Sequence, residues 1–394
     1  MTAADRDVVR AAFGVAAPGT DADLLGGVVA WLAAPRRGPA GLRRAAQAGS
    51  AERPEQALRR VLPRRPEPAQ ASAAASILER WAELGCVVAV VGDDAYPARL
   101  ARSWPEQGAP PLLAWRGELA DGLPAVAIVG ARRATSYGTG VAAWLAGAAA
   151  EAGVRIVSGG AVGIDAAAHR AAVAGPGATT VVLGCGHAVG YPRPHTTPGG
   201  LFDEVVANGG AVVSELFPQV RPSAGLVRAR NRLVAGLSDV TVVVEGGARS
   251  GSLLTAGAAA EQGSTVMAVP GDVRAPGSAA PHRLLSEGVA ACTHPRDLLE
   301  QLSRPGAPAV PGAGRPDSAE PGDPPVGAAR PSALPDDVQR RLAEHWPRAI
   351  RLDDLAALTG QAPATLLAAV TRAQIAGELA VDAEGVRLRQ RPAH

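Results

Sequence analysis

Several arginines in this sequence have no acidic residue nearby, and their spacing suits the binding of an anion. Residues 216–238 contain no aspartate or glutamate. Four arginines fall within twelve residues of this stretch, namely Arg221, Arg228, Arg230 and Arg232. Guanidinium groups at such spacing can bind phosphates if folding brings them to one surface. The pattern therefore predicts a local anion-binding patch.

Three glycine-rich segments also indicate anion binding. They cover residues 130–138 (GARRATSYG), 159–169 (GGAVGIDAAAH) and 246–256 (GGARSGSLLTA), and each follows a short β-branched run. Backbone N–H groups at a helix N-terminus attract negative charge, and nearby arginines add to that attraction. One such turn is weak support, because any tight strand-to-helix turn needs glycine. Three of them at one sheet edge predict a phosphate-binding surface.

Several enzymatic motifs fail in this sequence. The chain has no lysine, which excludes a standard P-loop, and residues 184–190 (GCGHAVG) depart from the GxGxxG dinucleotide motif. Ser250 lies in GARSG rather than in the GxSxG of a nucleophile elbow. Asp165 and His169 lie one helical turn apart and could form an acid/base pair. The favoured interpretation is that Asp165 caps its loop and His169 is a packed helix residue.

Cysteine and histidine spacing gives little support for a metal. Cys86, Cys185 and Cys292 lie about a hundred residues apart without a CxxC pair, which is typical of reduced cytosolic thiols. Cys185, His187 and His195 could ligate a metal, but C-x-H alone lacks the paired spacing of a zinc site. We expect no metal and no cofactor.

Short β-branched runs alternate with alanine-rich helical stretches between residues 85 and 300. Seven runs carry this signal, at residues 87–91, 126–129, 154–158, 179–183, 211–214, 240–244 and 264–269. Continuous apolar strands separated by helices are typical of a parallel sheet that is covered on both faces. The sequence therefore predicts an α/β fold with a Rossmann-like, doubly wound, mostly parallel sheet. Such sheets bind ligands outside the carboxyl ends of their strands.

Changes in composition divide the chain into four segments. Residues 1–75 predict a small helical domain of the SAM or helix-hairpin kind, and residues 76–301 predict the Rossmann-like core. Residues 302–335 are rich in Pro, Gly and Ala without apolar periodicity, which is typical of a linker. Residues 336–394 predict three helices and a hairpin, the order of a winged helix-turn-helix. Its recognition helix, at residues 364–378, has few basic or amide side chains, so an accessory or protein-contact role is expected.

The overall charge limits the class of protein. The 394 residues include 39 basic and 37 acidic residues, which give a net charge of +2. This near-neutrality excludes a histone-like, massively cationic protein. The first ten residues lack the apolar stretch of a signal peptide, and no run of roughly 18 uncharged apolar residues occurs. We therefore expect a soluble, cytoplasmic protein without a membrane partner.

Taken in order, the loop motifs resemble the DNA processing protein A family, also called DprA or Smf. The resemblance rests on IVGARRATSYG, VSGGAVGIDAAAH, VLGCGHAVGYP, SELFP, RARNRLVAGLS, VVVEGGARSGSLLTA, VPGD and HRLLSEGVA, which keep the order and spacing of that family. It is strong over residues 85–300 and weaker for the two terminal domains.

This resemblance implies a protein that catalyses no reaction. It implies binding of single-stranded DNA, protection of incoming DNA and loading of the RecA recombinase during natural transformation and recombination. It also implies a homodimer formed through the Rossmann-like core. The DNA-binding residues implied by the matching motifs are Gly130, Arg132, Ser158, Gly159, Gly163, Asp165, Arg230, Asn231, Arg232, Arg249, Ser250, Gly251 and Ser252. Cations and amides directed at the backbone suit DNA binding without sequence preference.

The sequence departs from the family pattern at several positions. Gly160 and Val162 replace the Leu and Arg of the usual GLARGID motif. Val227 stands where Phe is common, and His195 and His282 stand where Asn is usual. The loss of one cation and of one base-stacking ring predicts DNA binding that is weaker, or more purely electrostatic, than in the family.

Two other functions are open from the sequence. The first is a nucleoside-monophosphate phosphoribohydrolase of the lysine-decarboxylase-like (LOG) type, which uses similar GG loops in a similar sheet. Its signature PGGxGTxxE needs a glutamate one helical turn after the loop, whereas no acid follows Glu245 here until Glu261. The second is an interaction scaffold with a vestigial pocket, which would bind no DNA.

Overall fold

The computed structural model describes residues 22–34, 42, 53–62, 67–104, 108–119, 122–303, 334–345, 349–361, 366, 369–370, 373, 379–382 and 385–388. These residues divide into two compact units, one within residues 1–316 and the other within residues 317–394. No helix in these ranges has the length and apolar character needed to cross a membrane.

The larger unit contains a nine-stranded mixed sheet. Its strands are β1 (Val87–Val90), β2 (Leu112–Gly117), β3 (Ala125–Val129), β4 (Arg155–Ser158), β5 (Thr179–Val182), β6 (Ala211–Ser214), β7 (Val240–Val243), β8 (Thr265–Ala268) and β9 (Ala290–Ala291). They lie in the order β1, β2, β6, β5, β4, β3, β7, β8, β9. The seven strands from β6 to β9 in this order are parallel, whereas β2 is antiparallel to both β1 and β6.

Helices connect these strands, and three of them begin at a hydroxyl cap. The helices of this unit are α1 (Ala22–Ala33), α2 (Pro54–Val61), α3 (Pro68–Glu83), α4 (Ala98–Ala101), α5 (Ser136–Glu151), α6 (Ile164–Ala174), α7 (Arg193–Thr196), α8 (Leu201–Ala207), α9 (Ala224–Gly236), α10 (Gly251–Glu261), α11 (Ala279–Ser286) and α12 (Pro295–Leu302). The side chains of Thr135, Ser223 and Ser250 accept hydrogen bonds from the first turns of α5, α9 and α10. Such caps satisfy backbone N–H groups that have no partner inside the helix.

The central strand β3 shows why the sheet is covered on both faces. All five of its residues are buried. Successive side chains of a strand point to opposite faces, and Val126 and Ile128 pack in one hydrophobic cluster whereas Ala125, Ala127 and Val129 pack in another. The prediction of an α/β fold is therefore confirmed.

The seven predicted strands all form, but the sheet is less uniform than the sequence suggested. The run at residues 87–91, interpreted as part of a parallel sheet, forms β1 and pairs antiparallel with β2. Neither β2 nor the two-residue β9 was predicted. A buried antiparallel strand can be as continuously apolar as a parallel one, so the run itself does not reveal its direction.

The N-terminal helices pack on the same core as the first strands. The boundary expected after residue 75 falls within α3. Leu25 of α1 and Trp81 of α3 are fully buried in one cluster with Val88 of β1 and Leu113 of β2. In the described ranges, these helices thus extend the hydrophobic core of the sheet.

Among its described residues, the smaller unit contains helical residues at 366, 369, 370 and 373, and two helices and a hairpin with defined bounds. They are α13 (Asp336–Glu344), α14 (Leu352–Thr359) and the antiparallel strands β10 (Leu379–Asp382) and β11 (Gly385–Leu388). Leu342, Leu355, Leu366 and Val386 share its hydrophobic core. Most of the expected linker and most of the expected recognition helix lie outside the described residues, so the winged helix stays a prediction.

Candidate functional site

The direction of the chain across the sheet reverses next to β3. From β3 the chain adds β4, β5 and β6 on one side, and it then returns to place β7, β8 and β9 on the other. β3 and β7 are parallel neighbours, with Val126 opposite Val240. Open α/β sheets bind ligands in the crevice at the carboxyl ends of the strands where such a reversal occurs. The topology therefore predicts a ligand-binding site at this edge of the sheet.

A cavity of about 900 Å³ lies at this edge of the sheet. The loops after β3, β4, β5 and β7 line it together with α9 and the first turns of α10. Ten of the thirteen residues that the motifs suggested line this one cavity, namely Gly130, Arg132, Gly159, Asp165, Arg230, Asn231, Arg249, Ser250, Gly251 and Ser252. Their role as DNA contacts stays a prediction.

Positive charge dominates the lining. The charged residues that line the cavity are Asp165 and five arginines, Arg132, Arg228, Arg230, Arg249 and Arg283. Arg283 forms an ion pair with Glu287. Arg228 and Arg249 are exposed, and neither forms an ion pair with any described residue. These two guanidinium groups are therefore free to neutralise an anion in the cavity.

Arg230 forms part of the wall of the cavity. Only 6% of its surface is exposed. Its Nη1 donates a 2.5 Å hydrogen bond to the carbonyl oxygen of Val182, at the end of β5. Among the described residues, its Nε has no hydrogen-bond partner. The guanidinium lies against Gly159, and a Cβ at that position would overlap Nη1. A side chain at position 159 would therefore displace the guanidinium of Arg230.

Asp165 holds the loop after β4 from the first turn of α6. Its carboxylate accepts a 3.3 Å hydrogen bond from the N–H of Ala161, and it is 7% exposed. Burial raises the pKa of the Asp165 carboxyl, and the positive charge of Arg230 opposes that rise. Burial likewise lowers the pKa of Arg230, and Asp165 opposes that shift. This geometry matches the interpretation of Asp165 as a loop-capping residue.

The N-terminus of α10 forms another part of the wall. The Ser250 hydroxyl accepts hydrogen bonds from the N–H and the hydroxyl of Ser252, at 3.3 and 2.8 Å. The Asn231 side chain donates to the carbonyl oxygen of Gly251 at 3.1 Å and so ties α9 to α10. The exposed Arg249 precedes this helix by two residues. A cation beside helix N-terminal amides is an arrangement that favours an anion.

A buried glutamate that sequence reasoning did not assign braces the loop after β3. Glu245 follows β7 and accepts hydrogen bonds from the N–H and the hydroxyl of Thr135, at 2.9 and 2.5 Å. Glycines make room for it, since a Cβ at Gly138 would overlap its carboxylate and one at Gly130 would lie 2.7 Å from its carbonyl oxygen. The loop that carries the exposed Arg132 is therefore fixed at both β3 and β7.

Two of the predicted residues support the loops without lining the cavity. Ser158 is fully buried and donates a 2.7 Å hydrogen bond to the carbonyl oxygen of Ile128, which ties β4 to β3. Gly163 precedes α6 with a φ of 88°, and a Cβ there would overlap the backbone of Ala131 and Arg132. A side chain would be strained there, so the position requires glycine. Both residues therefore support the loops that carry the lining residues, and neither lines the cavity itself.

Arg232, the third predicted residue outside the lining, is turned away from the cavity. Residues two positions apart on a helix lie on different faces, so Arg232 does not share the face of Arg230. Its two Nη atoms donate to the carboxylate of Glu215 at 2.8 and 2.6 Å. The two side chains are 19% and 9% exposed. This arginine already has a charge partner, and its expected contact with phosphate does not fit this geometry.

The alternative residues for acid/base or metal chemistry have partners of their own. His169 is fully buried, and its Nδ1 lies 2.7 Å from the Thr179 hydroxyl. His187 and His195 each pair with a backbone carbonyl oxygen, at 3.1 and 2.9 Å, and the Cys185 thiol contacts another at 3.7 Å. Across the described ranges, no group of three His, Cys, Asp or Glu side chains is arranged to hold a metal.

Sequence reasoning missed several residues of the lining. Tyr191, Leu254 and Arg283 all contribute to it. Tyr191 follows β5 in the motif VLGCGHAVGYP, so the rule that informative residues follow strand ends could have found it. Arg283 lies in the motif HRLLSEGVA, but that motif does not show that α11 packs at this edge, which only the folded chain reveals.

The chain is similar to known proteins over the segment that contains this cavity. The sequence model of the DNA recombination-mediator protein A family matches residues 87–303, which is more than half of the chain. This span contains every residue that lines the cavity. The solved structure of DNA processing protein A (DprA) from Streptococcus pneumoniae superposes with a TM-score of 0.54 at 30% identity, over 66% of this chain and 94% of that chain.

Curated relatives show the same similarity at the level of sequence. A DprA relative from Mycobacterium tuberculosis is 39% identical over 258 residues, which are 64% of this chain and 61% of that protein. Protein Smf from Escherichia coli is 42% identical over 177 residues, 45% of this chain and 46% of that protein. The chain thus spans less than two thirds of the length of these two relatives. The match to the family, over the span that holds the sheet and its cavity, shows that this chain belongs to the DNA recombination-mediator protein A family.

Proposed function

We propose that this protein binds single-stranded DNA in the arginine-lined cavity and catalyses no reaction on it. The observation that carries the proposal is the charge of the lining, where five arginines face one aspartate at the carboxyl edge of the sheet. The exposed Arg228 and Arg249 supply cations, and the N-terminus of α10 supplies the positive end of a helix dipole. These groups recognise phosphates rather than base edges, which suits binding without sequence preference.

The proposal extends to a role in recombination. The bound strand is protected and then passed to the RecA recombinase, in natural transformation and recombination, by a cytoplasmic homodimer joined through the sheet-containing unit. The description of the family as a recombination mediator supports this step. The test is RecA filament formation on DNA coated with single-stranded-DNA-binding protein. Added protein should speed filament formation, and an unchanged rate would contradict this part of the proposal.

The binding experiment measures the affinity for fluorescent oligothymidine over a series of salt concentrations, with double-stranded DNA as the comparison. The logarithm of the affinity should fall linearly with the logarithm of the salt concentration, by about 0.7 for each phosphate that a cation neutralises. The affinity should be higher for the single strand. An affinity that barely changes with salt would contradict electrostatic binding in this cavity.

Substitutions of two exposed arginines of the lining locate the binding. Arg228→Ala and Arg249→Ala should each weaken binding and reduce the salt slope by about 0.7, because each removes one phosphate contact. Arg170→Ala is the matched control, since Arg170 is an exposed arginine of α6 that does not line the cavity. Equal effects of all three substitutions would place the DNA elsewhere.

A separate experiment tests the enzymatic alternative. A phosphoribohydrolase would release free adenine from AMP, and chromatography detects that product directly. We expect none, because Asp165 is the one carboxylate among the described lining residues and its oxygen is bound by the loop amide of Ala161. Release of adenine at a rate proportional to protein concentration would overturn the non-catalytic proposal.

A further inference from the structure

One aromatic side chain lies among the described residues that line the cavity. Tyr191 follows β5, and 37% of its surface is exposed. The other apolar side chains at this surface include Val227 of α9 and Leu254 of α10, which are aliphatic. Aliphatic side chains offer no π face, whereas a phenol ring offers one that any base can stack on.

The loop that carries Tyr191 is fixed on both sides of the ring. Before it, the N–H groups of Gly186 and Ala188 donate to the carbonyl oxygens of Val220 and Pro218, at 2.9 and 3.0 Å. After it, the carbonyl oxygen of Pro192 accepts from an N–H of α7 at 3.0 Å. A ring on a fixed loop loses little conformational entropy when a base stacks on it, so less of the stacking energy is lost.

A cation lies beside the ring. Nη1 of Arg132 donates a long hydrogen bond, 3.5 Å, to the hydroxyl oxygen of Tyr191. Arg132 is exposed and lines the same cavity. A nucleotide carries a flat base next to an anionic phosphate, and this pair of side chains presents a flat ring next to a guanidinium. The juxtaposition is complementary to one nucleotide of a single strand.

We propose that Tyr191 is the base-stacking residue of the cavity and that Arg132 binds the adjacent phosphate. This inference rests on the proposed function and adds a contact between an aromatic ring and the bases. The Tyr191 ring supplies a stacking surface in a cavity where position 227, on α9, carries a valine instead of an aromatic residue. The cavity can therefore contact the bases of the strand as well as its backbone. Sequence preference is not expected, because every base has a π face.

The experiment separates base contacts from backbone contacts. Affinity is measured for oligothymidine and for an abasic oligonucleotide of the same length, with the wild-type chain, Tyr191→Leu and Tyr191→Phe. Tyr191→Leu should lower the affinity for oligothymidine about tenfold and leave the affinity for the abasic strand and the salt slope unchanged. Tyr191→Phe should bind like the wild type, since the ring is retained.

Tyr137→Leu is the matched control. Tyr137 is 53% exposed but does not line the cavity, and its hydroxyl donates to the carbonyl oxygen of Pro270. A strand containing 2-aminopurine gives a second readout, because stacking on Tyr191 should quench its fluorescence in the wild type and in Tyr191→Phe but less in Tyr191→Leu.

The possible failures are distinguishable. If the wild type binds oligothymidine and Tyr191→Leu binds it equally well, or loses the same factor on the abasic strand, the stacking proposal is wrong while the proposed function stands. If the wild type binds neither oligonucleotide, the proposed function itself is wrong.

Discussion

At the residue scale, three arginines of one helix have three different environments. Arg228 is exposed in the cavity, Arg230 is buried in its wall, and Arg232 is bound to Glu215. The tripeptide Arg230-Asn231-Arg232, within the family motif RARNRLVAGLS, suggested that the last two act together on DNA. A double substitution of Arg230 and Arg232 would therefore combine the loss of a cavity wall with the loss of an ion pair, so each position has to be tested alone.

The Arg232 ion pair predicts an effect on stability rather than on binding. Arg232→Ala should lower the free energy of unfolding by about 2 kcal/mol, because it leaves the largely buried carboxylate of Glu215 without its partner. Urea denaturation measures this change, and Arg228→Ala, at an exposed position, should leave the stability nearly unaltered. DNA affinity below the unfolding transition should be retained in Arg232→Ala. Lost affinity at unchanged stability would mean that Arg232 contacts DNA.

His169 predicts a loss of stability in mild acid. The Thr179 hydroxyl donates to the carbonyl oxygen of Ile156, so it accepts from His169 Nδ1–H, and the buried Nε2 has no partner among the described residues. Burial lowers the pKa of His169 from 6.5 to about 3. Below pH 6.5 the unfolded chain therefore takes up a proton that the folded chain refuses until about pH 3.

The free energy of unfolding should consequently fall as the pH falls through this window, by up to about 1.4 kcal/mol per pH unit from this one group. His169→Gln retains a donor for Thr179 but cannot be protonated, so its stability should depend less on pH. Urea denaturation at neutral and mildly acidic pH compares the two chains. An identical pH dependence would show that His169 is not the group responsible. His187, whose pKa burial lowers to about 4, contributes in the same direction in both chains.

At the scale of elements, the cavity depends on loops whose glycines leave room for side chains from other segments. Arg230 comes from α9 and occupies the space in front of Gly159, after β4, while Glu245 follows β7 and occupies the space at Gly138, in α5. Because these positions are glycines, the loop after β4 can pack against Arg230 of α9, and the segment after β3 can pack against Glu245, which follows β7.

This arrangement predicts different results at two glycines, one that faces Arg230 and one that has free space around it. Gly159→Ala should displace the Arg230 guanidinium and lower DNA affinity, because the new Cβ would overlap Nη1. Gly247→Ala is the matched control, since a Cβ there would meet nothing closer than 4.0 Å. Binding titrations on both variants, with thermal unfolding to verify folding, check the prediction. Equal affinities for the two variants would contradict the supporting role of Arg230.

The sequence predicted the elements well and their mutual placement less well. Seven apolar runs gave seven strands, and three glycine turns gave three walls of one cavity, because these signals are local. The direction of β1 depends on its pairing with β2, and the position of Arg283 depends on how α11 packs, so neither has a local signature. Arg230 and Arg232 lie on different faces of α9 because of helical periodicity. A motif that is treated as a single unit does not show this difference.

At the scale of the whole molecule, every lining residue of the cavity belongs to the larger unit. Removal of residues 317–394 should therefore change the affinity for oligothymidine by less than about twofold, because the removed segment contains none of the described residues that line the cavity. Binding by the shortened chain, verified as folded by circular dichroism, measures this. Abolished binding by a folded core would show that the smaller unit holds the main DNA contacts.

The pairing of β3 with β7 also determines when the cavity can form during synthesis. The partners Val126 and Val240 are more than a hundred residues apart in the chain, so β3 leaves the ribosome long before its neighbour. Until β7 arrives, one edge of the central strand presents unpaired backbone groups to any other nascent chain. Non-local pairing of this kind is slow. A chain interrupted before β7 would lack the lining residues of the loop after β7, of α10 and of α11, and it would expose an unpaired strand edge. Such a chain is expected to aggregate.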